Sequence, residues 1–154
     1  MNNKIPPPIV AIVAALLMVT VSILLPEAQF TLPYFDILSA LFTALAVSIS
    51  LLIMAAGVWE FKRASTTVNP LKPDTASELV SSGIFQYSRN PMYLGMTGIL
   101  IGIFFSLSNL ASALVIPLFI SFIYQFQIKP EEQAMKKLFT SSFDEYCGRV
   151  RRWI

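Results

Sequence analysis

A chain of 154 residues in which 55% of side chains are hydrophobic and 13% are charged has too little polar surface to coat a water-soluble globule. It reads as an all-α integral membrane protein. The absence of histidine excludes a Ser-His-Asp hydrolase and the commonest metal sites, and a single cysteine, Cys147, supports neither a disulfide framework nor a thiolate metal site. The net charge of +2 is small, and its basic residues suit anionic lipid head groups better than nucleic acid, so no nucleic-acid partner and no metal are expected.

In chain order, apolar runs occupy 9–25, 37–58, 92–107 and 110–128. A spanning helix needs about 20 residues to cross a hydrocarbon core about 30 Å thick, so four spans follow. The first is not a cleaved leader, because Pro26-Glu27-Ala28-Gln29 lacks the small-x-small pattern and further spans come after it. The third is short, roughly 24 Å long at about 1.5 Å per residue. It must borrow flanking residues or form half of a shallow hairpin with the fourth. One domain over 1–154 is expected, with a long loop at 60–90 and a tail at 129–154.

All eleven basic residues fall on one side of this topology: Lys4, Lys62, Arg63, Lys72, Arg89, Lys129, Lys136, Lys137, Arg149, Arg151 and Arg152. The other side carries only Glu27 and Asp36 in its first connection and no charge around Ser108-Asn109. The positive-inside rule therefore puts both termini, the loop and the tail in the cytoplasm, and the expected location is a bacterial inner membrane.

Chemistry is expected on that side. Pro91 suits the first position of the third helix and Asn90 its cap. Arg89 then stands beside a helix N-terminus, where amides, macrodipole and guanidinium together make a carboxylate or phosphate site; lipid phosphate is the simpler occupant. After the fourth span, Lys129-Pro130-Glu131-Glu132 opens a helix to about Tyr146. Met135, Leu138, Phe139, Phe143 and Tyr146 share one arc, with Gln133, Lys137, Thr140 and Asp144 opposite. Glu131 and Glu132 flank the apolar arc and point toward the bundle, which is costly unless a cation or hydroxyl meets them; complementing the helix dipole is their ordinary role. Gly95, Gly98 and Gly102 form a helical stripe that suits close helix packing, above all at Gly102, while Gly95 and Gly98 lie nearer the cytoplasmic end where a cofactor could reach. Pro117 is expected to kink the fourth span, and Gln125 and Gln127 place amides near its end. Trp59, Phe61 and Trp153 read as an aromatic belt and Cys147 as a bystander.

The order Thr66-Thr67-Val68-Asn69-Pro70, Leu79-Val80-x-Ser82-Gly83-x-Phe85, Arg89-Asn90-Pro91-x-Tyr93-x-Gly95, Glu131-Glu132 with Phe139 and Tyr146, and Val150-x-Arg152-Trp153 resembles the isoprenylcysteine carboxyl methyltransferase and phospholipid methyltransferase superfamily of membrane enzymes. The resemblance runs from about Trp59 to the end. It implies S-adenosylmethionine as cofactor, with Leu79, Val80 and Phe85 lining the adenosine pocket. Arg89, Asn90 and Tyr93 would stand at the Arg-His-Pro-x-Tyr positions with Gly95 close by, and Glu131 and Glu132 would be the paired acidic motif. Arg89 would take the cofactor carboxylate, one glutamate its ammonium and the other its ribose; Arg89 and Glu132 would be the catalytic pair. The other ten basic residues read as orientation signals and surface contacts.

This chain has Asn90 and Ser77 where family members carry histidines, so a mechanism needing an imidazole base is excluded. Methyl transfer from a sulfonium tolerates that loss, because positioning and exclusion of water do most of the work. A lipophilic acceptor, presenting a carboxylate or an amine, would enter sideways from the bilayer; prenylated cysteine, a phospholipid amine and a smaller isoprenoid acid all stay open, as does oligomeric state. A nicotinamide-dependent reductase is a second reading, since sterol reductases resemble the C-terminal half, but paired carboxylates are poor neighbours for dinucleotide phosphates. A non-enzymatic four-helix membrane protein is a third, although the ionisable groups lie at the ends of the spans rather than deep within them.

Overall fold

A computed structural model describes residues 5–30, 35–64 and 78–154. Lys4, the 66–70 segment, Lys72 and Ser77 lie outside the described residues. The described residues are almost entirely helical: α1 (Pro7–Leu24), α2 (Phe35–Arg63), α3 (Pro91–Leu107), α4 (Leu110–Ala113), α5 (Val115–Ile123) and α6 (Lys129–Arg149), with a π-helical segment at Tyr124–Ile128 and single 3-10 turns at Pro26–Ala28 and Gly83–Gln86. The all-α membrane architecture expected from hydropathy is the one observed, with apolar helices at each of the four runs.

Prolines punctuate it. Pro7 starts α1, and Pro26 follows its end. Pro91 starts α3. The fourth span is not one smooth helix: it breaks at Leu114, because the Pro117 ring would meet the carbonyl of Ala113, four residues before it, and this is the expected kink. It then widens into the π segment, where the Lys129 N–H bonds back to the Tyr124 carbonyl, just before Pro130, which has no N–H to give.

α2 corrects the expected loop boundary at residue 60. Its 29 residues make about 43 Å of helix, more than the hydrocarbon core needs, so Glu60, Phe61, Lys62 and Arg63 ride on helix beyond the membrane. α3, at 17 residues, forms a hairpin with α4 and α5. Asn109 ties that turn to the end of α1. Fully buried, it donates from Nδ2 to the Leu25 carbonyl at 2.9 Å and accepts the Ser112 N–H on Oδ1 at 3.0 Å, satisfying groups that lipid could not.

The bundle core joins Met18 of α1, Tyr93, Met96 and Leu100 of α3, and Phe119 and Ile123 of α5. α2 packs on the opposite face of α3 through the glycine stripe. A Cβ at Gly95 would lie 2.8 Å from the Ser50 carbonyl oxygen, one at Gly98 2.1 Å from Ser50 Oγ, and one at Gly102 3.0 Å from Val47. Thr43 Oγ1 adds a 3.0 Å bond to the Gly102 carbonyl. A second cluster lies past the membrane end, where Val80 and Phe85 pack with Phe143, Tyr146 and Val150, joined by Phe61, Leu79, Met135 and Phe139.

α6 runs to Arg149 but is not the even helix expected. Thr140 takes φ 38° and ψ −107°, a conformation that a β-branched residue rarely adopts. The break re-aims the second half, burying Phe143 and Tyr146 while Leu138, expected on the same arc, stays 43% exposed. Gln133, Lys137, Thr140 and Asp144 are exposed as expected.

Gly95→Ala should lower stability by about 1–3 kcal/mol, since the new methyl presses on backbone that cannot swing away. Gly148, with nothing within 4 Å of its missing Cβ, is the control. Thermal unfolding in detergent should show a lowered midpoint for the first variant and none for Gly148→Ala.

Candidate functional site

The site forms where the entry to α3, the first turn of α6 and the C-terminal residues 150–153 meet. Asn90 occupies the cap position of α3, yet its side chain makes no capping bond, contrary to expectation. Its Nδ2 donates instead to the Arg152 carbonyl at 3.0 Å. The Arg89 N–H donates to the Arg151 carbonyl at 3.1 Å, and buried Ser88 accepts the Asn90 N–H on Oγ at 3.1 Å. Val150 sits in the loop cluster and Trp153 against the bundle core, so the tail is stitched to both. That corrects the reading of Trp153 as a belt residue; Trp59, 68% exposed, fits the belt.

These bonds aim the charged side chains. Arg89, 12% exposed, approaches Glu132 Oε1 through Nη2 at 3.3 Å and contacts the Cys147 sulfur through Nη1. Its Nε is buried without a hydrogen-bond partner. Arg152 grips Glu132 with both ends of its fork, Nε to Oε1 at 2.9 Å and Nη2 to Oε2 at 2.8 Å, while lying 5.1 Å from the centre of the Tyr124 ring. The bond to Glu132 holds Arg152 more firmly charged than an ordinary arginine. Among the described basic residues read as anchors, Arg152 therefore departs from that role, and Cys147 is more than a bystander. Lys62, Arg63, Lys136, Lys137, Arg149 and Arg151 are exposed.

Glu131, the neighbouring carboxylate, faces a different world. Tyr93 donates its phenolic O–H to Oε1 at 2.5 Å. Burial raises the Glu131 carboxyl to about 7; the Tyr93 hydrogen bond opposes the rise and Glu132 adds to it. Adjacent residues of α6 point about 100° apart, which divides the two carboxylates, and the extra residue in the π turn before them sets the direction of both.

Leu79, Val80 and Phe85 lie in the adjoining apolar cluster, and the Phe61 ring meets Phe85 edge-on at 5.2 Å. Tyr146 donates to the Phe85 carbonyl at 2.7 Å, while the next residue, Cys147, touches Arg89. The apolar cluster and the charged cluster are thus one residue apart along α6. Burial pushes the Tyr146 hydroxyl up against the opposing pull of Arg89, so it stays a donor. Gly95 is not brought to this place, because Met54 and Ser50 of α2 fill the space beside it. Arg152, Ser88 and Tyr124 were not singled out from sequence. Only Arg152 left a signal, in the Val150-x-Arg152-Trp153 string. Among the described residues no His, Cys, Asp and Glu side chains gather as metal ligands would.

A model of the phospholipid methyltransferase family matches residues 38–142, about two-thirds of the chain. The chain belongs to that family. It is a membrane methyltransferase, and the match gives no support to the reductase reading. Among curated proteins and solved structures, none matches. Methyltransferases of this family generally use S-adenosylmethionine, and the residues of this one fit such a ligand. The spare buried Arg89 Nε suits a carboxylate, and the apolar cluster suits an aromatic base.

The raised Glu131 carboxyl makes the folded state bind a proton that the unfolded chain, titrating near 4.5, has lost. Stability from this group is therefore full below about 4.5 and falls as pH rises to about 7. Melting temperature followed from pH 5 to pH 8 should decline more steeply in the wild type than in Glu131→Gln, which mimics the protonated acid throughout; parallel curves would refute the assignment.

Proposed function

We propose that this methyltransferase uses S-adenosylmethionine to methylate the polar head of a lipophilic acceptor at the cytoplasmic membrane boundary, with both termini in the cytoplasm. The support is one juxtaposition, the Arg89–Glu132–Arg152 cluster against the apolar cluster of Val80 and Phe85, both on the side that carries the chain's basic residues.

The cofactor supplies an electrophilic methyl group on a sulfonium, and its loss leaves a neutral thioether. Arg89 binds the carboxylate end, with Nε as the donor its protein contacts leave unused. Glu132 orients Arg89 and Arg152 from one carboxylate and keeps two guanidiniums from repelling each other beside apolar surface. Leu79, Val80 and Phe85 enclose the adenosine and keep water out. Asn90 holds the tail through the Arg152 carbonyl rather than moving a proton. Glu131 and Tyr93 meet where the first turns of α6 and α3 face each other. A carboxylate acceptor needs no base there, whereas an amine acceptor gives its proton to Glu131, whose carboxyl titrates at about 7. The acceptor slides in from the bilayer and leaves its chain among the spans.

Heat of binding decides the matter. Detergent-solubilised protein should bind S-adenosylhomocysteine saturably, and Arg89→Ala and Glu132→Ala should each weaken binding at least about tenfold, consistent with loss of a charged contact worth roughly 1.5–3 kcal/mol. A folded wild type that takes up none of the ligand sinks the proposal.

A further inference from the structure

Glu60 is a buried carboxylate that neither the family motifs nor the reaction above employs. On the last turns of α2 it is 8% exposed. Among the described residues it has no ion-pair partner, and its hydrogen bond is from Ser82 Oγ to Oε2 at 2.5 Å. A carboxylate offers about four acceptor positions, so this one keeps capacity beyond its bond to Ser82.

What covers it is thin. Ser82 and Gly83 are themselves exposed, and Gly83 stands at φ 54° directly over the carboxylate, where a Cβ would fall 2.3 Å from Glu60 Oε1. The backbone conformation and the space both call for glycine, so no side chain closes the turn above Glu60. Rotation of the Ser82 hydroxyl uncovers an acceptor pair. The same turn carries Phe85 into the apolar cluster, and Phe61, the residue after Glu60, lies edge-on to it. The carboxylate therefore borders the cluster that receives an adenine, and that cluster is one residue of α6 from Arg89. The piece of the ligand between adenine and amino acid is a ribose, whose vicinal hydroxyls are two neutral donors. Acidic side chains take up ribose hydroxyls in this way at nucleotide sites generally.

We propose that Glu60 is a ribose-binding residue, accepting the hydroxyls that the sequence would have given to the second member of the Glu131–Glu132 pair. Glu132 is held by two arginines and Glu131 by Tyr93. The assignment rests on the S-adenosylmethionine reading, and the ligand pair chosen to test it separates the two.

Titration calorimetry compares S-adenosylhomocysteine with its 2′-deoxy analogue on the whole protein in detergent. The wild type should prefer the ribose ligand by about tenfold, as expected for a hydrogen bond to a charged group, and Glu60→Gln should bring that preference close to one. An equal loss for both ligands, or a preference left intact, overturns the ribose role and leaves the cofactor reading standing. A folded wild type that binds neither ligand overturns both. Where Glu60→Gln does not fold, Glu60→Asp, which withdraws the carboxylate by one methylene, must reduce the preference, and an unchanged preference counts against Glu60. Ser82→Ala keeps the carboxylate and should keep the preference; its loss there would assign the effect to the turn rather than to Glu60.

Discussion

Glu132 is the residue from which the loop-and-tail end of this protein hangs. Its carboxylate receives Arg89 from the entry to α3 and Arg152 from the tail, and it stands on the first turn of α6, so one side chain ties together both ends of α6 and the start of α3. Exposed ion pairs contribute little, but Arg89 and Glu132 are 12% and 21% exposed, and a guanidinium left there without its counter-charge would be costly. A wholly apolar junction would pack at least as well. Charges kept in such a place point to use, and the buried Nε of Arg89, which no protein atom satisfies, is where that use is most visible.

The backbone bonds around the clasp explain how loop residues hold a fixed geometry. Residues 88–90 and 150–152 pair through the Arg89 amide and the Asn90 side chain, while Val150 and Trp153 anchor the tail in the two apolar clusters on either side. α3 is wedged between the bundle core and the glycine-fitted α2, so Pro91 starts from a rigid base. A site made largely from irregular chain thus gains the support that a helix or strand would otherwise give it.

How much of this is legible in the sequence depends on the range of the interaction. Hydropathy places the spans because lipid acts on every residue of a run alike, and the glycine stripe announces a close helix contact because its spacing is local. The inward aim of Glu131 and Glu132 is legible for the same reason, from the arc of α6. Arg152 is not, since its partner is distant in the chain and a basic residue near a membrane has an adequate explanation in lipid phosphate. Asn90 misleads because position and residue type both fit a cap, and only the returning tail shows the side chain spent elsewhere. Glu60 is hidden by a boundary error: as the first residue of a loop it reads as solvent-facing, whereas as the last turns of a 29-residue helix it is carried beneath Ser82 and Gly83.

Adjacent glutamates with such different neighbours also bear on which chemistry the family motif serves in this chain. Had both met arginines, the pair would be a counter-ion and nothing more. Here one residue along α6 changes the partner from two guanidiniums to a phenol, and the second carboxyl is left with a proton affinity near neutrality. Proton uptake is needed only when the acceptor arrives as an ammonium, because a carboxylate head is already a nucleophile. The asymmetry therefore leaves Glu132 committed to two guanidiniums and Glu131 able to titrate near neutrality, in a chain where Asn90 stands in place of a histidine.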